Sequence, residues 1–421
     1  MKASLTLWLM IGILSVLGLL DGAGAADWPV WRGPNGDGTA GAGTNVDRLP
    51  LTWSSTSNVV WKADLPGEGH STPIVVGDKV VLTISDEETE RQSVLCLSRS
   101  DGSVLWDQPL FYGKLAKKIH KKNTHATPSP ASDGERVYVS FFNDEEVQLT
   151  ALSLGDGTPI WQVTAGPFKE LFNFGYAPSP LLYGDLVIVS SDFKRGGFLA
   201  AYDKRTGTEV WRTPRTGSTS YSSPIVGRVG GRDQLLISGD KRISSYDPAT
   251  GRPLWSAKAV TEATCGTLVW DEERVFGSGG FPGKETAAVM ADGSGRVVWK
   301  NKEKSYEQSM LVHDGYLYTV NDGGIGYCWD ATTGEEKWEA RVSIGAISAS
   351  PLLVGDRIYA SFENGVTVVF RATPTGFEKL AENRLGVEAF ASPVVAGDRL
   401  FLRVADYEGE KRRETLYCLG L

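Results

Sequence analysis

The chain of 421 residues carries four His and four Cys. Any chemistry must therefore rest on where acidic, imidazole and phenolic side chains recur at one spacing. They recur ahead of a Ser/Thr-x-Pro signal, here termed the Pro frame. Five positions before its proline, or before the residue that replaces it, stand Glu68, His125, Gly175, Thr219, Glu262, Tyr306, Ala346 and Glu388. Three positions before it stand His70, Thr127, Ala177, Tyr221, Thr264, Gln308, Ser348 and Phe390. Brought to one place, Glu68, Glu262, Glu388, His70, His125 and Tyr221 would form a polar ring. Such a ring can take a polar ligand, or a cation such as Ca²⁺ through oxygen ligands. The alternative is a hydrated polar funnel, because pocket lining alone does not assign a ligand. No nucleophile elbow, H-E-x-x-H, Walker or dinucleotide frame stands in a supporting context, so no catalytic residue is assigned.

Two longer segments suggest contact with a partner. In DQPLFYGKLAKKIHKKNTHATPSP, Lys114, Lys117, Lys118, Lys121 and Lys122 cluster. Lys114, Lys117, Lys118 and Lys121 fall at i, i+3, i+4 and i+7, which predicts one face of a short helix. The cluster reads either as a docking loop for an acidic partner or as a solvated run of charge. QVTAGPFKELFNFGYAPSP adds Phe168, Leu171, Phe172, Phe174 and Tyr176. Phe168 and Phe172 are candidates for an aromatic binding edge, with packing against the adjacent sheet as the alternative.

The elements that position these residues are repeats. Counting back from Trp211 in AYDKRTGTEVW, Gly stands at −4, Asp at −8 and Ala at −10. The same turn frame ends at Trp106, Trp161, Trp255, Trp299 and Trp338, and once more at Leu380. The −4 glycine is present in every copy, from Gly102 to Gly376, and successive copies lie 39 to 55 residues apart. Asp-x-x-Thr-Gly between short apolar runs predicts a tight hairpin, with the glycine at φ > 0 and the Asp accepting backbone N–H groups. The small residue at −10, including Cys96, Cys328 and Cys418, leaves room for a Trp to dock. Equivalent positions in separate repeats lie too far apart for a disulfide, so all four cysteines read as buried thiols.

Eight Pro frames alternate with the turn frames, at 71, 127, 177, 222, 265, 309, 349 and 391. Each unit is two hairpins, or four strands, of about 45 residues. The last unit lacks its fourth strand, and NVVWKADL carries an orphan Trp61. Pairing residues 58–64 with 415–420 supplies that strand and removes two free sheet edges. The expectation is an all-β fold: an eight-bladed β-propeller of four-stranded antiparallel blades, closed by the N-terminal strand. Trp61, Trp106, Trp161, Trp211, Trp255, Trp299 and Trp338 are its expected docking tryptophans.

Residues 1–25 read as a signal peptide, one Lys ahead of an apolar run and then Ala23-Gly24-Ala25, with cleavage after Ala25. An uncleaved anchor is the alternative. Residues 26–56 read as a Gly-rich, aromatic extension over the surface, and residues 57–421 as the propeller. The net charge of −8 excludes a mainly electrostatic nucleic-acid binder. A monomer in the periplasm or outside the cell, without a membrane span in its mature part, is expected.

The repeats resemble the tryptophan-docking motifs of the pyrroloquinoline-quinone (PQQ) propeller superfamily over nearly the whole mature chain. One branch, the quinoprotein dehydrogenases, holds PQQ and Ca²⁺ near the axis. Another is similar to the propeller lipoprotein of the outer-membrane β-barrel assembly machine, which binds protein and is not a catalyst. This chain has neither the adjacent cysteines of the larger dehydrogenases nor a lipobox Cys. The resemblance therefore implies a protein-binding scaffold with no cofactor, of the kind that serves envelope or outer-membrane protein assembly. The alternative it implies is a small PQQ-dependent alcohol or sugar dehydrogenase.

Overall fold

Turn chemistry sets the local structure. In the computed structural model, Asp203 Oδ1 accepts the N–H groups of Arg205 and Thr206, both at 2.9 Å, and Gly207 follows at φ +71°. Asp330 does the same for Thr332 and Thr333 ahead of Gly334. These hairpins, alternating with Gly-Asp turns, fold the chain into eight four-stranded antiparallel sheets. The structure describes residues 27–169, 172–215 and 217–421. The expected signal peptide, its cleavage site and Leu171 lie outside them.

Blades 1 to 7 span residues 74–112, 131–167, 181–215, 225–258, 269–301, 311–341 and 352–384. Blade 8 joins residues 394–419 to Val59–Asp64, with Trp61 opposite Cys418 and Asp64 opposite Thr415. The ring thus closes through an N-terminal strand as its outermost strand. Second and third strands are buried on both faces, as blades stacked on either side require. Among the described residues the one helix is a 3₁₀ turn, Val46–Arg48. None is long and apolar enough to cross a membrane.

Outer-strand tryptophans bridge the blades. Trp61 of blade 8 donates Nε1–H to Arg99 O of blade 1 at 2.8 Å and lies over Gly102. Trp106, Trp161 and Trp299 donate to Leu154, Lys204 and Ala331 of the following blade and lie over Gly157, Gly207 and Gly334. Trp211 lies over Gly251, and Trp338 donates to Thr373 O. Trp255 differs: its N–H goes to Gln234 of its own blade, whose amide donates to Ala291 O of blade 5.

The sequence places residues 26–56 over the surface, but residues 28–40 enter the axial channel. Trp28 pairs with Val75 of blade 1, and Pro29 O accepts Ser132 N–H of blade 2. Arg32 donates to Met310 O and Pro351 O at 2.7 and 3.0 Å, in blades 6 and 7. Gly38 and Ala40 then pair with Leu353. The inner strands expose backbone groups toward the axis, and this segment satisfies them. Farther along, Trp53 packs on Tyr359 and takes its backbone partner from Asn383 of the outer strand of blade 7.

Candidate functional site

Antiparallel order places every blade-to-blade loop on one face, together with the hairpins between second and third strands. The Gly turns lie on the other face. At the head of the inner strands, hydroxyls tie each blade to the next. Thr72 N–H donates to Ser129 Oγ, Ser129 to Ser179, and Ser179 to Ser223, at 2.9, 2.9 and 3.0 Å. Thr267 N–H donates to Ser309 Oγ, Ser309 to Ser350, and Ser350 to Ser392, at 3.0, 2.9 and 2.9 Å. Ser392 N–H returns to Thr72 Oγ1 at 3.1 Å. Beside the junction of blades 4 and 5, Thr267 Oγ1 accepts Nε1–H of Trp31 at 2.8 Å.

This ring corrects the register of the two frames that lack proline. The position just before proline is occupied by Thr267 and Ser309, so the proline equivalents are Leu268 and Met310, not Thr267 and Leu311. The residues three before are then Cys265 and Glu307, and both line the axial chamber. Thr264 and Gln308 are instead buried away from it, bonded to Ser238 and to Val320 O. Five before become Ala263 and Ser305. Ala263 pairs with Phe281 as Glu68 pairs with Ser85 and Glu388 with Ala405, so Glu262 lies one residue out of that ring.

The chamber holds about 240 Å³. Its walls are His70, Thr127, Ala177, Tyr221, Cys265, Glu307, Ser348 and Phe390, one from each blade junction. Hydroxyls and Trp31 form the floor. Lys122, Asn123, His120 and Phe174 overhang it from the two long loops. Asn123 donates to Phe174 O at 2.6 Å, joining the loops. Lys122 crosses to Glu363 at 2.7 Å and Glu307 at 3.6 Å, and the Ser348 hydroxyl lies between the two carboxylates, sharing its single proton. Burial opposes the Lys122 charge, but Glu363 and Glu307 hold its ammonium above the usual range. Burial pushes the Cys265 thiol up and the His70 imidazole well down, with Arg412 and Arg403 adding to the latter. His70 is thus neutral and stacks on Phe390 at 4.3 Å.

The sequence-derived candidates separate. His70 and Tyr221 line the chamber. Glu68 and Glu388 do converge, but on Arg412, at 3.8 and 2.9 Å. Burial raises the Glu68 carboxyl and Arg412 opposes the rise. Glu262 stands apart, holding Ser218 and Lys241; the Ser218 hydroxyl chiefly lowers its carboxyl. His125 faces Glu87 at 3.6 Å in a neighbouring rim groove, and burial lowers its imidazole. The lysines do not share a helix face, because residues 114–122 are irregular chain, begun by Gly113 and Lys114 at positive φ and pinned by Lys122. Lys114 pairs with Asp144. Lys117, Lys118 and Lys121 are exposed and line the rim groove with Phe172. Phe168 is buried against Phe142, Tyr176 and Tyr221 and is closed to a partner. Phe172 is exposed, edge-on to Phe281.

A quinone tricarboxylate with Ca²⁺ would need cations and a cluster of oxygen ligands. The chamber's one lysine is matched by two carboxylates. Among the described residues no three His, Cys, Asp or Glu gather in a metal-binding group. The residues present do not fit that pair of groups.

The family model described as outer membrane protein assembly factor BamB matches residues 28–108, 90–340 and 195–420. The chain belongs to this family. BamB of Burkholderia pseudomallei is 24% identical over 201 residues, 47% of this chain and 46% of that one. The 1-butanol dehydrogenase (quinone) of Thauera butanivorans is 24% identical over 319 residues, 69% of this chain and 48% of that one. The chain thus spans less than half the length of these curated relatives. The crystal structure of BamB from Moraxella catarrhalis has a TM-score of 0.60 at 17% identity, covering 85% of this chain and 96% of that one, a likeness of fold.

Sequence reasoning missed Trp31, Arg412, Glu307 and Glu363, and named Lys122 only as part of the basic cluster, not as the partner of those two carboxylates. The hydroxyl just before each proline was the available signal for the register of Glu307 and Cys265. Nothing local in WPVWRGP marks Trp31 as axial.

Proposed function

We propose that this BamB-family protein is a non-catalytic, protein-binding scaffold that serves outer-membrane protein assembly in the periplasm, after removal of residues 1–25. The observation that carries this reading is the charge of the axial chamber. Lys122 is already matched by Glu307 and Glu363, so among the described residues the cavity has no free lysine for an anionic redox cofactor. The partner is met instead at the rim, where Lys117, Lys118 and Lys121 make no ion pair among the described residues and stand beside exposed Phe172. An acidic, apolar-flanked protein segment complements that edge. Cross-linking of tagged protein in envelope fractions tests this. Capture of a specific envelope protein that is lost in Lys117→Glu/Lys118→Glu is expected, and unchanged capture refutes the rim as the docking site.

The match to a quinone-dependent dehydrogenase over 69% of the chain favours a second reading, a small quinone oxidoreductase. Purified protein mixed with PQQ and Ca²⁺ decides between the two. Substrate-specific dye reduction with alcohols or sugars overturns the scaffold.

A further inference from the structure

We propose that the axial chamber binds a small, uncharged, ring-sized polyol such as a monosaccharide or cyclitol. The inference does not rest on the docking reading above.

The chamber is a cup, because Trp31 and its neighbours stop the channel below the hydroxyl ring. Its floor has a specific chemistry. A hydroxyl offers one donated proton and two lone pairs. In Thr72, Ser129, Ser179, Ser223 and Ser392 one lone pair takes the N–H of the preceding blade. Among the described residues none of the five donates its own proton. All five are at most 7% exposed and line the cavity. Each therefore still offers one donor and one acceptor toward the cup, and buried groups of this kind require partners. A ligand hydroxyl, itself donor and acceptor, satisfies both. A carboxylate or phosphate leaves the lone pairs unmatched, and an ammonium leaves the protons unmatched.

The walls supply flat apolar surface. His70, held neutral, stacks on Phe390 with 17° between planes on one side. Phe174 and Tyr221, 5.6 Å apart, stand on the other. Pyranose and cyclitol rings present C–H faces to such surfaces and hydroxyls at their edges. The single Lys122 ammonium is taken by Glu307 and Glu363 across the mouth, so an anionic ligand would be desolvated without a counter-ion. The volume of about 240 Å³ is smaller than the ~300–1,000 Å³ of pockets for drug-sized ligands and suits one six-membered ring.

Calorimetry and thermal shift with D-glucose, D-mannose and myo-inositol test the proposal, with D-glucuronate as the charged control. A saturable signal with at least one neutral compound is expected, at least about tenfold weaker with D-glucuronate. Ala177→Phe, which fills the cup from its wall, should abolish binding. Phe390→Leu should weaken it about tenfold by removing the stacked face. Circular dichroism confirms that each variant is folded, and a misfolded Ala177→Phe leaves Phe390→Leu as the decisive variant. No saturable signal with any neutral compound overturns the proposal. Tighter binding of D-glucuronate, or undiminished binding in both folded variants, does so too. Partner capture through Lys117 and Lys118 is read separately, so failure of one reading does not touch the other.

Discussion

If Trp61 locks the last blade to the first, the turn beneath its ring should not tolerate even a methyl group. A β-carbon at Gly102 would stand 2.5 Å from Trp61 Cε3. The φ of +74° adds strain that any L side chain meets there. Gly102→Ala therefore combines about 1–2 kcal/mol for left-handed backbone with about 1–3 kcal/mol for overpacking, or about 2–5 kcal/mol in all. Gly77→Ala is the control within the same blade. Gly77 has φ +57°, and an added methyl would meet nothing within 4 Å, so only the backbone cost of about 1–2 kcal/mol applies. Urea unfolding followed by far-ultraviolet circular dichroism reads both. The cycle is completed with Trp61→Leu, which vacates the space above the turn. The methyl should then cost little beyond its backbone strain, a coupling of at least about 1 kcal/mol. Equal losses for Gly102→Ala and Gly77→Ala, or strict additivity with Trp61→Leu, would refute the seating of Trp61 as the lock of the ring.

Ser179→Ala strands the buried N–H of Ser129 and should destabilise by about 1–3 kcal/mol in the same assay, whereas Ser179→Thr should restore most of the loss. Stability should also fall on mild acidification. The folded imidazole of His70 sits well below the ordinary value of 6.5, so below that pH the unfolded chain takes up a proton that the folded chain refuses. Its contribution is complete above the ordinary histidine range and is lost as pH falls through it, at up to about 1.4 kcal/mol per pH unit. His125 shifts in the same direction and adds to the slope. His70→Phe should flatten the dependence between pH 6.5 and 5 by roughly that amount. An unchanged slope would mean that another group governs acid sensitivity.

The fold was legible because its demands repeat. A Gly at −4 and an Asp at −8 make one hairpin, and their recurrence from Gly102 to Gly376 sets the period. An orphan Trp61 and an unfinished last unit imply closure, and Trp61 meets Cys418 across the sheet. The site was less legible for two physical reasons. Where proline is absent, in blades 5 and 6, the frame had no rigid marker, and an error of one residue put Thr264 and Gln308 in the places of Cys265 and Glu307, and Glu262 and Tyr306 in those of Ala263 and Ser305. Ion pairing between distant segments is also invisible to spacing. Glu68 and Glu388 approach each other as their frame positions suggest, but Arg412, on the long hairpin of blade 8, lies between them.

The two axial rings show how this architecture divides structure from chemistry. Just before the proline, every blade carries Ser or Thr; seven of these hydroxyls accept the N–H of the preceding blade, and the eighth, Thr267, accepts Trp31 Nε1–H. Two residues earlier the backbone makes no such demand, and the eight positions hold eight different residue types, from Ala177 to Glu307 and Phe390. A ring whose identities followed from blade packing would repeat as the hydroxyls do. The variety shows that blade packing does not fix these side chains, which answer instead to their immediate neighbours. Neutral His70 against Phe390, and Ser348 between Glu307 and Glu363, are two such local solutions. Function in this propeller should therefore be sought in the ring that does not repeat and in the loops that overhang it, and the inter-blade hydroxyls should respond to substitution as stability elements.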